Sequence, residues 1–323
     1  MSSFSHQKVE DGVSVFKYFS PPEIVRNLAP GEISDDEVSV IGDKGVLLLY
    51  QGSNRFYDQL IDLPQFSSPD DWLRILSERE IALGPQIANF NLFLPEKTSA
   101  LIDLLPFPVS RPRPQMVLEM QTKKIKNIIF GEDLLEASNT KNRFDSSVWN
   151  YLESHLTEFG SIMVFNHFLI SAGLDSISYQ IRPSKLTSQG GDLVRENFGT
   201  GFIEQKNSEI VDHLFEPILI SDNVNPGSAH RNQGRLVVWK NQNPVANLHL
   251  LIIGNSFSGT GFQKINITHW ASKYFAKTTF LHSNSYPIEV KSEISPDLIL
   301  FQTNDRFLRL IPNDFRSLAQ LIS

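Results

Sequence analysis

The chain has no cysteine among its 323 residues. That excludes a disulfide framework, a thiolate metal site and a cysteine nucleophile, and leaves the compartment open. Long apolar runs are missing as well: Gly45–Tyr50 and Leu248–Ile253 are the longest and are far too short to cross a bilayer. There is no basic surplus either. Lys and Arg number 29 against 36 Asp and Glu, a formal charge of −7, which disfavours binding to a phosphate backbone and excludes nucleic acid as the expected partner. The densest basic run, Lys123-Lys124-Ile125-Lys126, is short and reads as the solvated face of a helix. The opening MSSFSHQKVEDG lacks the basic start and apolar run of a secretory leader. As written, the chain is expected in the cytoplasm; with a leader removed, it would belong in the periplasm.

Hydrophobic residues make up 41% of the chain and charged residues 20%, enough apolar material for a large core. Residues 1–37 are polar, with Pro21-Pro22, Pro30-Gly31 and the acidic run Asp35-Asp36-Glu37, and read as an N-terminal arm. Residues 38–323 read as one domain carrying a polar insertion near 183–235. Val38–Ile41 and Val46–Tyr50 flank Gly42-Asp43-Lys44-Gly45, the pattern of a hairpin. Ser68-Pro69-Asp70-Asp71 predicts a capped amphipathic helix, and Ile87–Leu94 a buried strand ended by Pro95. Prolines 106, 108, 112 and 114 mark a stiff connection, followed by a helix over about Gln115–Ile128. Another helix is expected over Glu158–Ala172, with Thr157 as its cap and Gly173 closing it. The last third alternates: strands at Leu248–Ile253, Thr278–Leu281 and Asp297–Phe301, helices at Ile265–Phe275 and near Asp314–Ile322. Such alternation predicts an α/β fold with a mostly parallel sheet covered on both faces.

Within that frame LHLLIIGNSFSGTG, residues 248–261, runs an apolar strand into Gly254-Asn255-Ser256-Phe257. Open α/β sheets place their ligands at the carboxyl edge, where Ser256 would stand. Gly254 permits a tight turn and close approach of a substrate, and the Ser256 N–H can face an oxyanion with help from a helix N-terminus. The strand Asp297–Phe301 leads to Gln302-Thr303-Asn304-Asp305-Arg306, where Asn304 can donate to the same oxyanion or merely turn the chain. A serine needs a base. Of eight histidines, His155 has the most suggestive neighbour, Glu153, a carboxylate placed to orient an imidazole. The remaining residues offer less. His249 and His269 read as packed side chains, and His213 and His230 lack carboxylates at ligand spacing, so no metal is expected. The Gly-Thr-Gly runs lack the context of a phosphate loop. Trp149, Trp239 and Trp270 are candidates for stacking on sugar rings.

Taken in order, these segments resemble the SGNH-hydrolase-like proteins of polysaccharide O-acetylation, the alginate O-acetyltransferase (AlgJ/AlgX-like) group, over roughly residues 38–310. Val40–Leu49 is similar to the family's opening hairpin and Asn91–Thr98 to its "PeKt" strand end. Gly190-Gly-Asp-Leu193 resembles its "GDL" segment, Gly254-Asn-Ser-Phe257 its "GDSF", and Pro296–Leu300 with Arg306-Phe-Leu308 its "PDvVi…ERfl". The resemblance implies a three-layer α/β/α fold and a Ser-His-acid triad whose acid and histidine come from a D-x-H-W motif. Here that motif reads Glu153-Ser154-His155-Leu156, so Glu153, His155 and Ser256 are the expected catalytic residues. A second register places Asp145 as the acid but offers no histidine. Ser256 and Asn304 are the expected oxyanion donors, and Asn255 and Arg306 the candidate substrate contacts. The implied activity is transfer of an acetyl group through a serine ester to a carbohydrate hydroxyl. The alternatives are an acetyl-carbohydrate esterase with the same residues and a non-catalytic relative that binds or scaffolds. No tightly bound cofactor is implied. The acetyl donor, acetyl-CoA or a membrane acetyl carrier, is a substrate, and a membrane acetyl-donor protein is the implied partner.

Overall fold

The structure, a computed structural model, describes residues 19–20, 29–61, 68–114, 117, 120–121, 127–131, 148–195, 198, 203–223, 232–287 and 290–315. Most of the 1–37 arm, the Lys123–Lys126 run, Asp145, and the bulk of the helices expected at Gln115–Ile128 and Asp314–Ile322 lie outside these residues. Ile128, expected to end a helix, instead opens a strand.

The elements in chain order are β1 (Phe19–Ser20), β2 (Ser39–Ile41), β3 (Leu47–Leu49), α1 (Phe56–Leu60), α2 (Pro69–Leu83), β4 (Ala88–Leu94), α3 (Lys97–Ala100) and β5 (Ile128–Phe130). Then follow α4 (Glu158–Ser171), β6 (Tyr179–Gln189), β7 (Glu204–Asp212), β8 (Ile218–Asn223) and β9 (Leu236–Lys240). The last are β10 (Ala246–Gly254), α5 (Ile267–Tyr274), β11 (Phe275–His282) and β12 (Leu298–Asn304). Seven strands form the central sheet in the order β5-β4-β12-β10-β11-β9-β8. The first five run parallel; β9 and β8 add on antiparallel.

The continuous apolar character of β10 and β12 follows from burial on both faces. Leu250 and Ile252 pack on one side with Phe165 and Phe168 of α4 and Trp270 of α5. Leu251 and Ile253 face the other way, onto Leu83 at the end of α2. Helix, sheet and helix therefore stack in three layers, as the residue pattern predicted. The helix ends are also where capping chemistry puts them. Ser68 Oγ accepts from the Asp71 N–H at 3.3 Å while Asp71 accepts from the Ser68 N–H at 3.0 Å, so α2 begins on a capping box. Thr157 Oγ1 accepts from the Gly160 N–H at 3.0 Å, and Gly173, with φ of 72°, closes α4.

The polar stretch near 183–235 is not one loop. β6 and β7 pair antiparallel, with β1 along the edge, as a small second sheet. β8, from the same stretch, joins the main sheet. Among the described residues no helix is long and apolar enough to cross a membrane.

The hairpin of β2 and β3 is bound to the sheet by the residues after β4. Lys97 is fully buried, and its Nζ donates to the carbonyls of Leu47, Tyr151 and Glu153 at 2.7, 3.0 and 3.2 Å. Thr98 Oγ1 adds a bond to the Leu49 carbonyl at 2.8 Å. Three ammonium protons thus meet three carbonyls, which is how a buried cation is tolerated. Lys97→Met keeps the stem but removes all three bonds, leaving the Tyr151 carbonyl only the one it accepts from the Leu47 N–H. We expect it to lower unfolding free energy by about 3 kcal/mol in urea titrations, the scale of a broken buried charged network.

Candidate active site

β10 ends at Gly254, and Asn255 carries the chain into the turn Ser256–Ser258 at the carboxyl edge of the sheet. Gly254 has a spatial reason to lack a side chain. A Cβ there would lie 2.8 Å from Gln302 Oε1 and 2.9 Å from Ser258 Oγ. What approaches this glycine on that side is the end of β12 and the Ser258 hydroxyl. Nor is a helix N-terminus behind Ser256, because α5 does not begin until Ile267. The intervening loop turns instead on Gly259 and Gly261, both at positive φ.

Opposite Ser256 lies an irregular segment, tied by a bridge between Trp149 and Leu156. It brings Glu153, His155 and Ser256 into one hydrogen-bonded line. His155 Nδ1 stands 2.6 Å from Glu153 Oε1, and Nε2 stands 2.8 Å from Ser256 Oγ. A carboxylate can only accept, so the proton sits on Nδ1 and Nε2 presents a lone pair to the serine hydroxyl. The imidazole packs on Phe257, ring centres 5.0 Å apart, and Phe257 packs in turn on Trp149. Burial works to lower the His155 pKa, but the Glu153 hydrogen bond and the charges of Asp192 and Glu153 outweigh it and raise it overall.

A chain of amides lies beside the serine. The Asn255 N–H donates to Gln302 Oε1 at 3.2 Å, which makes Gln302 Nε2 a donor, bound to Asn304 Oδ1 at 2.7 Å. The Phe257 N–H donates to Asn255 Oδ1 at 3.0 Å, so Asn255 Nδ2 also donates to Asn304 Oδ1, at 2.8 Å. Two backbone N–H groups therefore dictate the orientation of three side-chain amides. Asn304 has its oxygen doubly occupied and its buried Nδ2 without a protein partner. Asn255, read from the sequence as a substrate contact, is buried with both amide ends engaged inside the protein. It orients Asn304.

Arg306 is also differently placed from its reading as a substrate contact. Its Nε faces Glu96 Oε1 at 3.2 Å and its guanidinium lies over Phe307. Glu96 is wholly buried; desolvation pushes its pKa up to about 7 against the pull of Arg306. Asp305 turns inward to a bidentate pair with Arg113, at 2.6 and 3.1 Å, from the proline-rich connection. Trp149, Trp239 and Trp270, the sugar-stacking candidates, are all buried, so none offers a face to a ligand. Two further groups at the site went unread in the sequence. Gln302 was visible only as a polar residue ending an apolar strand. Asp192 stood only in a Gly-Gly-Asp-Leu run, with nothing local to link it to His155. Among the described residues, Glu153, His155 and Asp192 are the one cluster with metal-ligand spacing; their polar atoms are spent on each other and on Ser154 and Ser256.

No protein-family model and no curated protein sequence matches the chain. Solved structures share its fold. PatB1 of Bacillus cereus, determined with a sulfonyl adduct, superposes with a TM-score of 0.62 over 86% of this chain and 100% of that one, at 13% identity. A DHHW family protein from Eubacterium siraeum gives 0.57 over 87% and 99%, at 12% identity. The O-acetyltransferase domain of Pseudomonas putida AlgJ gives 0.51 over 88% and 94%, also at 12%. The likeness establishes the fold that the sequence pattern led us to expect.

Glu96 gives the site a pH signature. Its folded pKa of about 7 lies above the 4.5 of an ordinary glutamate, so the native state holds a proton that the unfolded state has lost. This group's contribution to stability falls as pH rises from about 4.5 to about 7. Glu96→Gln removes the contribution. We expect the variant's urea midpoint, relative to wild type, to improve on going from pH 5 to pH 8; a constant difference would contradict it.

Proposed function

We propose that the chain is a serine-dependent O-acetyltransferase acting on a carbohydrate hydroxyl. The observation that carries the reading is the line Glu153–His155–Ser256, at 2.6 and 2.8 Å, together with the partnerless Nδ2 of Asn304, whose oxygen is bound by Asn255, the residue before Ser256. Shared fold with a domain described as an O-acetyltransferase supports the acyl class. Ser256 Oγ attacks the acetyl carbonyl carbon while its proton passes to His155 Nε2. The tetrahedral oxyanion is held by the Ser256 N–H and by Asn304 Nδ2. Collapse expels the donor's leaving group, which takes the proton from His155 and leaves an acetyl ester on Ser256. A sugar hydroxyl then attacks that ester, gives its proton to His155, and the proton returns to Ser256 Oγ as the serine departs.

Glu153 fixes the imidazole tautomer and stabilises the imidazolium formed in each half-reaction. Arg306, which lies beside the buried Glu96, supports the turn after β12. The acetyl group comes from acetyl-CoA or from a membrane acetyl carrier, and in the second case a membrane acetyl-donor protein is the partner.

Intact-mass measurement after p-nitrophenyl acetate and an acid quench tests the reading. One acetyl adduct is expected on wild type and none on Ser256→Ala. Asn304→Ala should slow adduct formation by roughly two to three powers of ten, the usual cost of one oxyanion donor. With labelled acetyl and an oligosaccharide acceptor, label should appear in the sugar. Free acetate as the sole product would make the protein an esterase, and an unreactive Ser256 would make it a non-catalytic relative.

A further inference from the structure

A second carboxylate stands at His155. Asp192, in the loop after β6, places Oδ2 at 3.6 Å from His155 Nδ1, against 2.6 Å for Glu153. Its oxygens also take both donors of the residue between the two triad members: the Ser154 N–H reaches Oδ1 and the Ser154 hydroxyl reaches Oδ2, each at 2.6 Å. The Asp192 N–H donates to Glu153 Oε2 at 3.2 Å. Glu153 thus divides its carboxylate, one oxygen for the imidazole and one for the Asp192 backbone.

The loop is held close enough to do this. Leu193 N–H donates to the Leu152 carbonyl at 3.1 Å, and Ser39 Oγ donates to the Leu193 carbonyl at 2.7 Å. Arg195 donates to the Asp192 carbonyl while pairing with Asp36. At Gly191 a Cβ would lie 2.1 Å from the Leu152 carbonyl oxygen, an approach only glycine permits.

We propose that Asp192 is the second acid of the site, a positioning residue that shares the His155 imidazolium with Glu153 and fixes the Glu153 rotamer through its backbone N–H. This rests on the acyl-transfer reading and deepens it. A glutamate has one more rotatable bond than an aspartate, so its carboxylate needs an external anchor to hold an imidazole in register. The Asp192 N–H supplies that anchor, and the Asp192 charge adds to the field on the ring. Among the described residues the other charges around His155 are Glu153 on its own segment, Arg306 after β12, which opposes, Glu96 after β4, and Lys97 on the Glu153 carbonyl. Burial works to raise the Asp192 pKa, but the His155 charge and the hydrogen bonds donated by the Ser154 N–H and hydroxyl outweigh it and lower it overall.

The test is an NMR titration of the His155 ring, assigned by its loss in His155→Gln, in wild type and in Asp192→Asn. Asparagine keeps the shape and the acceptor for the Ser154 N–H while removing the charge. The wild-type ring should titrate above an ordinary histidine, and the variant about one pH unit lower, the effect of one opposite charge at this range. The acid limb of the acetylation rate should shift down by the same amount, with the plateau reduced about three- to tenfold. An unshifted titration overturns the proposal, whatever happens to the rate, and leaves Asp192 as loop support. Absence of any adduct on wild type would instead overturn the acyl-transfer reading, and the ring titration decides the role of Asp192 either way.

Discussion

The site depends on one buried ammonium. Glu153 and His155 are carried by residues 149–156, which have no helix or strand of their own beyond a single bridge. Ser256 follows the end of a strand in the sheet core. Lys97, just after β4 of the sheet, ties down that segment: its three protons bind carbonyls of β3 and of residues 151 and 153, the latter Glu153 itself. Burial draws its pKa down to about 7, while Glu204, Asp192 and Glu153 pull it up. The negative charges of the site thus help keep the cation that holds their segment.

Around this anchor the polar groups form two arrays that meet at Ser256. One is anionic and runs through His155; the other is neutral and consists of amides. The amide array explains how Asn255 serves where the resembled family has aspartate. An aspartate at 255 would face Asn304 Oδ1 with a second acceptor, whereas the asparagine donates to it and leaves Asn304 Nδ2 unengaged. Gln302 completes the arrangement by donating to the same oxygen. The departure from the family pattern at 255 is therefore matched by the residues around it.

Much of the fold was legible because periodicity reports burial. The apolar runs of β10 and β12 could only be strands covered on two faces, and Ser68 and Thr157 announced their helices through their own short-range chemistry. The pairing of Glu153 with His155 was legible for the same reason, since the two lie two residues apart. The rest was decided across long stretches of chain. Asp192 reaches His155 over 37 positions, and Arg113 reaches Asp305 over 192. Local patterns state which residues are polar at the end of a strand but not which polar ends converge. The tryptophans show the converse: chemically apt for sugar rings, they were taken by the core, where their large apolar area is most stabilising.

Gly191 lies where the two halves of the site are closest to being pushed apart. Any side chain at that position displaces the backbone of Leu152, one residue from Glu153. Glycine at this position is what lets the Asp192 loop close on the segment carrying Glu153 and His155, so the register of that segment against Ser256 hangs on the absence of one carbon atom.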